Sequence, residues 1–159
     1  MFKEKKSKRK IIKDRIEQYN IPFDKYNGIK EGADWISDSG EIIKNNEITV
    51  ESTPVHSYAF CTDTIYNESL IEKIKEVDLL YHEATFKKEL ADRANETGHS
   101  TTYEAATIAK KSAVKNLLIG HFSQRYKNLD ELLIEAKDTF KNTHLAESGL
   151  VLDFNKLSN

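Results

Sequence analysis

Cysteine is almost missing from this chain: Cys61 stands alone, so no intramolecular disulfide can form, and the usage is compatible with a reducing cytoplasm. Long hydrophobic runs are missing too. No apolar stretch approaches the roughly 18 residues needed to cross a bilayer as a helix, which predicts no membrane partner. The N-terminus shows no apolar core followed by a small-residue cleavage site, so no secretory signal is expected. Internal repeats are absent. What is there is ordinary for a globular protein: 159 residues, 38% hydrophobic and 31% charged, enough for one domain with a real core.

Charge is unevenly placed. Within the first fifteen residues lie eight basic side chains (Lys3, Lys5, Lys6, Lys8, Arg9, Lys10, Lys13 and Arg15) against Glu4 and Asp14, a balance of +6. Since the whole chain carries −2, everything after residue 15 sums to −8. A basic segment on an acidic body suits phosphates and therefore nucleic acid; a solvated tail is the alternative.

The hydropathy pattern changes near residue 50. Residues 1–50 read as a basic, turn-rich segment with Pro22, Gly28, Gly32 and Gly40 among polar residues. Ile11, Ile12, Ile16 and Tyr19 recur at helical spacing, predicting a short helix over 10–19 that ends at Asn20-Ile21-Pro22. Asp38-Ser39-Gly40 predicts a turn between short strands. Residues 51–159 alternate between strand and helix patterns. Strands are predicted at 58–62, 77–81 and 117–120, and helices at 67–76, from Thr101 to about 112, and at 129–140. Thr101 and Glu104 stand in capping-box register. Leu145-Ala146 and Leu150-Val151-Leu152 around Gly149 predict a closing hairpin. The alternation implies an α/β fold with layered sheet and helices.

Polar residues fall at informative places. One predicted strand runs into Asp63, the next into His82-Glu83, and the third into His121, while His99 sits in a Gly-His-Ser-Thr turn before a helix. Loops at the carboxyl ends of strands gather residues from distant sequence, so these side chains are placed to converge. Carboxylate oxygen and neutral imidazole nitrogen both bind zinc, and a bridging carboxylate lets two ions share one hydroxide. Each residue also has an ordinary reading: Asp63 as a helix cap, His82 as a satisfied core histidine, Glu83 in an ion pair, His99 as capping chemistry, His121 as a packed histidine. His56 and His144 lack comparable settings.

Four strings carry a resemblance: SYAFCTDT at 57–64, DLLYHEATF at 78–86, GHST at 98–101 and LLIGHFSQRY at 117–126. In this order they resemble the C-terminal motifs of ribonuclease Z, a metallo-β-lactamase-fold endonuclease that trims precursor-tRNA 3′ ends. The resemblance implies an α/β fold that is the C-terminal half of an αββα sandwich, preceded by a basic arm. It implies zinc as cofactor, with Asp63 bridging two ions and His121 ligating one. His99 would contact the scissile phosphate and help protonate the leaving group with Glu83 as partner, and His82 would support the site. Ser100, Ser123 and Arg125 would hold tRNA phosphates. Residues 3–30 fall where many members carry a tRNA-binding arm, which makes Lys8, Arg9 and Lys10 candidate RNA contacts. The arm's usual glycine-proline stretch is replaced here by Asn20-Ile21-Pro22-Phe23. The family acts as a cytoplasmic homodimer. Phosphodiesterases and arylsulfatases share the fold, and His121-Phe122-Ser123-Gln124-Arg125-Tyr126 favours the tRNA enzyme.

The family's His-x-His-x-Asp-His motif does not occur in this chain. Asp63 and His121 cannot by themselves close two zinc sites, and the expected general base belongs to the motif that is missing. Three expectations follow: a piece of an active ribonuclease Z, one part of a split enzyme, or a non-catalytic RNA-binding or interaction module.

Overall fold

Apolar runs alternating with helices predict parallel strands, and four such strands lie side by side in one sheet. The computed structural model describes residues 1–5, 7–52 and 55–157, which leaves Lys6 of the basic segment outside the described residues. The chain divides into two compact units, Met1–Lys3 with His56–Asn159, and Glu4–Val55.

After β1 (Phe2–Lys3) the chain enters the Glu4–Val55 unit. There β2 (Lys10–Ile11), α1 (Lys13–Gln18), α2 (Tyr26–Lys30), β3 (Trp35–Ile36), β4 (Ile42–Ile43), α3 (Asn45–Ile48) and β5 (Thr49–Val50) follow one another. The predicted helix over 10–19 is shortened at its start, because Lys10 and Ile11 pair antiparallel with Val50 and Thr49 instead. Its end falls as expected, with Asn20 at φ 47° and Pro22 beyond it. The predicted turn at 38–40 joins β3 to β4, with Gly40 at φ 82°. A small core of Ile21, Ile29, Ile43 and Ile48 holds the unit together.

The second unit contains β6 (Ser57–Cys61), α4 (Leu70–Lys73), β7 (Leu79–Glu83), α5 (Ala91–Thr97), α6 (Thr102–Lys111), β8 (Asn116–Gly120), α7 (Asp130–Thr139), β9 (Thr143–Leu145) and α8 (Phe154–Leu157). Its sheet has the order β1-β6-β7-β8-β9, with β6 to β9 parallel and β1 antiparallel at the edge. Helix α6 starts where the sequence predicts, closed by a full capping box between Thr101 and Glu104. Its buried face, Ala105, Ala106, Ile108 and Ala109, packs on Leu80, Leu117 and Ile119. Each fully buried large aliphatic side chain there contributes about 2 kcal/mol.

Two expectations are corrected. The helix predicted over 67–76 is confined to Leu70–Lys73, since Glu76 turns at φ 57° to bring the chain into β7. The closing hairpin does not form. Thr143–Leu145 joins the open edge of β8 in parallel, and Gly149 at φ 84° leads Leu150–Leu152 toward α8 rather than back along β9. Opposite α6 the sheet presents an aromatic row. Phe2 stacks on Tyr58, and Phe60 stacks on Tyr81 with ring centroids 4.5 Å apart; Phe60 is 51% exposed.

Candidate metal and phosphate site

The parallel strands β6, β7 and β8 all end at one edge of the sheet, and the residues just beyond those ends make the site. Asp63 follows β6 and His121 follows β8. Both are non-glycine residues in the left-handed region, at φ 48° and 59°. Such conformations cost on the order of 1–3 kcal/mol and persist where surrounding contacts hold them. Asp63 caps no helix; its carboxylate accepts from Thr62 Oγ1 at 3.0 Å. His121 Nε2 lies 3.7 Å from Asp63 Oδ1, and the His99 and His121 rings are 5.1 Å apart. Asp63, His99 and His121 each offer a ligand atom within 4.8 Å of the others, and the cluster opens to solvent.

Glu83, at the end of β7, is the fully buried anchor of this arrangement. Its Oε1 accepts from Thr64 N at 2.7 Å and lies 3.0 Å from His99 Nδ1. Its Oε2 accepts from Thr85 Oγ1 at 2.7 Å and Ser100 N at 3.1 Å. Burial pushes the carboxyl pKa up, but the donors Thr85, Ser100, His99 and Thr64 outweigh it and hold the group below its usual range. An ionised Glu83 fixes the proton of His99 on Nδ1 and leaves its Nε2 lone pair free.

Thr85 does the same for His121. Its Oγ1 is 2.7 Å from Glu83, so its one hydrogen serves the carboxylate, and its lone pair faces His121 Nδ1 at 3.0 Å. His121 therefore turns an Nε2 lone pair toward Asp63. Two imidazole lone pairs and a carboxylate form a donor set that fits a borderline-soft divalent metal with positions left over for further ligands.

The structure thus brings together Asp63, Glu83, His99 and His121. It does not bring His82 to the cluster. That ring is fully buried on the face of the sheet that also carries Leu80, with Nδ1 2.7 Å from the Glu83 carbonyl. Ser100 is buried and spends its hydroxyl on the Thr64 carbonyl at 2.6 Å, tying the Asp63 loop to the His99 turn. Ser123 receives Arg125 Nε at 3.2 Å, and the exposed Arg125 guanidinium lies over Phe86, 5.0 Å from its ring centroid. In the other unit, Lys8 pairs with Glu31 at 2.7 Å, Arg9 pairs with Glu51 and Thr49, and Lys10 is exposed on β2. Lys8, Arg9 and Lys10 line a groove of about 460 Å³ with Tyr26, Asn27 and Lys30. Thr85 and Thr64 were not singled out in the sequence. Thr85 stands inside the DLLYHEATF string, which is the one signal that pointed to it.

No family model matches the chain. Curated relatives do. It is 44% identical over 155 residues to the ribonuclease Z of Bacteroides thetaiotaomicron, covering 98% of this chain and 49% of that protein. To the ribonuclease Z of Porphyromonas gingivalis it is 46% identical over 153 residues, covering 96% and 50%. To that of Cytophaga hutchinsonii it is 40% identical over 150 residues, covering 94% and 48%. The chain spans about half the length of the curated relatives it matches. Among solved structures it is similar to the metallo-β-lactamase fold protein YhfI from Bacillus subtilis, with a TM-score of 0.56 and 30% identity over 62% of this chain and 40% of that one. A long form RNase Z from yeast matches with a TM-score of 0.57 and 28% identity, over 65% and 14%.

Proposed function

We propose that this chain, whose sequence belongs to the ribonuclease Z family over about half the length of its relatives, forms one side of the metal centre of a tRNA 3′-processing endoribonuclease. The observation that carries this reading is the His99–Glu83 pair standing beside Asp63 and His121, with all three potential ligand atoms inside 4.8 Å. Asp63 and His121 would hold the zinc, which would supply Lewis-acid activation of water and offset charge on the phosphate.

Glu83 orients the His99 ring through Nδ1, so that Nε2 faces outward as the atom that passes a proton to the leaving oxygen. Thr85 keeps Nε2 of His121 in the ligating tautomer. Arg125, exposed on Phe86, supplies a guanidinium for a tRNA phosphate, with Ser123 setting its direction. Lys8, Arg9 and Lys10, joined by Lys30 and Tyr26, give the Glu4–Val55 unit a groove suited to the phosphate backbone of precursor tRNA.

Zinc centres close with about four ligands each. The remaining ones, in a His-x-His-x-Asp-His segment, come from the length of a ribonuclease Z that this chain does not span. The aromatic row opposite α6 fits the same reading, because it is a sheet face suited to cover by a second sheet. The complete enzyme is cytoplasmic and homodimeric in this reading, and no helix among the described residues is long and apolar enough to cross a membrane.

The test is to mix the purified chain with the complementary half of a Bacteroides ribonuclease Z, add zinc, and present a precursor tRNA bearing a 3′ trailer. Trailer release on mixing, and none from either part alone, is the expected result. A zinc-loaded complex that binds the RNA without cutting it would overturn the catalytic reading and leave an RNA-binding module.

A further inference from the structure

Gly120 and Tyr81 fit each other in a way that neither strand pattern requires. A methyl group added at Gly120 would lie 2.6 Å from Tyr81 Oη and 2.8 Å from Tyr81 Cε2, closer than packed atoms come. The phenol end of Tyr81 therefore rests on the bare backbone of Gly120. On its other side the ring is stacked on Phe60, at 4.5 Å and nearly parallel, with an interplanar angle of 13°. The register explains the reach: Tyr81 sits opposite Leu118, and its ring leans two residues along β8 to Gly120, which pairs with Glu83.

The next residue is His121, held at φ 59°. A left-handed histidine relaxes unless its neighbours fix it. On the backbone the Gly120 carbonyl accepts from Ala84 N at 2.9 Å, and the Thr85 hydroxyl, whose hydrogen serves Glu83, meets the His121 ring at Nδ1, 3.0 Å away. On the aromatic face the Tyr81 ring covers the Gly120 backbone directly before His121.

We propose that Tyr81, clamped between Phe60 and Gly120, is a positioning residue that locks His121 in the conformation that turns its Nε2 toward Asp63. It acts through the backbone and touches no substrate. The proposal rests on the functional reading only where it names a metal; the lock itself is a property of the backbone.

The experiment is solution NMR of the labelled chain, following the amide–Hα coupling and Cα shift of His121, together with zinc titration by calorimetry. Both Gly120→Ala, which pushes the ring away, and Tyr81→Ala, which removes it, should erase the positive-φ signature of His121. Each should weaken zinc binding about 10-fold, the usual size of a supporting-shell effect. The double variant should lose no more than either single one, because both break the same lock. Tyr81→Phe, which keeps the ring, should restore both readouts. If folded Gly120→Ala and Tyr81→Ala proteins keep the His121 signature and their zinc affinity, even with a lower Tm, the proposal is overturned and the ring is ordinary packing. Failure of the unsubstituted chain to bind zinc would count against the metal reading, while the His121 signature would still decide the lock.

Discussion

The two units of this chain solve the problem of holding polar chemistry in opposite ways. The unit of Met1–Lys3 with His56–Asn159 builds a five-stranded sheet over a continuous apolar core, then lets three parallel strands stop at the same edge. Asp63, Glu83, His99 and His121 gather there on rigid supports, and two of them carry backbone strain that the core can sustain. The Glu4–Val55 unit has strands of two residues and a core of four isoleucines. Side chains substitute for a sheet: Asn45 Nδ2 donates to the Ile29 and Ala33 carbonyls, both at 2.7 Å, and Asp34 accepts from Asn45 N at 2.8 Å. Its ion pairs Lys8–Glu31 and Lys44–Asp34 are exposed, where solvent and salt screen them. One unit is made to place atoms; the other is made to present charge.

That contrast breaks most visibly under substitution at the sheet edge. In the catalytically complete enzyme, His99→Ala should lower turnover by about 10²–10⁴-fold while zinc content stays normal. Asp63→Ala should lose turnover together with zinc, measured as metal per protein after dialysis. Normal zinc stoichiometry in the Asp63 variant would remove it from the ligand set. Loss of zinc in the His99 variant would recast that histidine as a ligand.

Next in size is the buried carboxylate. Glu83→Leu strands the Thr64 and Ser100 amides, the Thr85 hydroxyl and His99 Nδ1 without their acceptor. The cost should be about 3 kcal/mol or more, read from the urea midpoint, with Glu83→Gln recovering part of it. A loss under about 1 kcal/mol would mean water replaces the carboxylate and that the anchor is dispensable for folding.

How much of this was legible in the sequence follows the same division. Asp63, Glu83 and His121 were readable because each terminates an apolar run, and a run's end is a local signal. His99 was readable from the Gly-His-Ser-Thr turn and the capping box after it. Thr85 was not, because its role depends on which strand lies beside β7 and in what register. The same holds for Tyr81 and Gly120, whose fit exists only across two strands. His82 looked like its neighbour Glu83 in sequence, yet strand alternation turns the two to opposite faces. Strand β9 was misjudged because three residues do not say which edge they will join. In the Glu4–Val55 unit two-residue strands leave no period to detect, and Lys10–Ile11 borrowed a helical pattern that the pairing with β5 overrides.

A smaller effect sharpens the other side of the comparison. Lys10→Glu with Lys30→Glu should weaken precursor-tRNA binding about 10-fold at moderate salt, and the salt dependence of affinity should become shallower by roughly two counterions. Lys8 and Arg9 are partly spent on Glu31 and Glu51, so reversing them should act through folding of the unit as well as through charge. Equal losses on precursor tRNA and on a small phosphodiester would refute a separate binding groove.

The smallest expected effect separates His82 from the site by pH. Burial is the main cause that holds its imidazole pKa below the ordinary 6.5; the Glu83 carbonyl and the Glu83 and Glu104 carboxylates oppose it. The folded state therefore favours the neutral ring, whose proton sits on Nδ1 toward the Glu83 carbonyl. Above pH 6.5 both folded and unfolded chains carry neutral His82, and its contribution is complete. As pH falls below 6.5 the unfolded chain takes up a proton that the folded chain refuses, so stability declines until the lowered folded value is reached. His144 shifts the same way, chiefly by burial and then by Lys137, and adds to the same window. Glu83, lowered instead, loses its contribution only as pH falls below its ordinary 4.5, so it adds no pH dependence between 6.5 and 4.5. Thermal melts at pH 7.5 and 5.5 should show a lower Tm at the acidic value, and His82→Gln should reduce that difference. If His82→Gln leaves the pH difference intact, the buried ring is not its source, and His144 becomes the group to test.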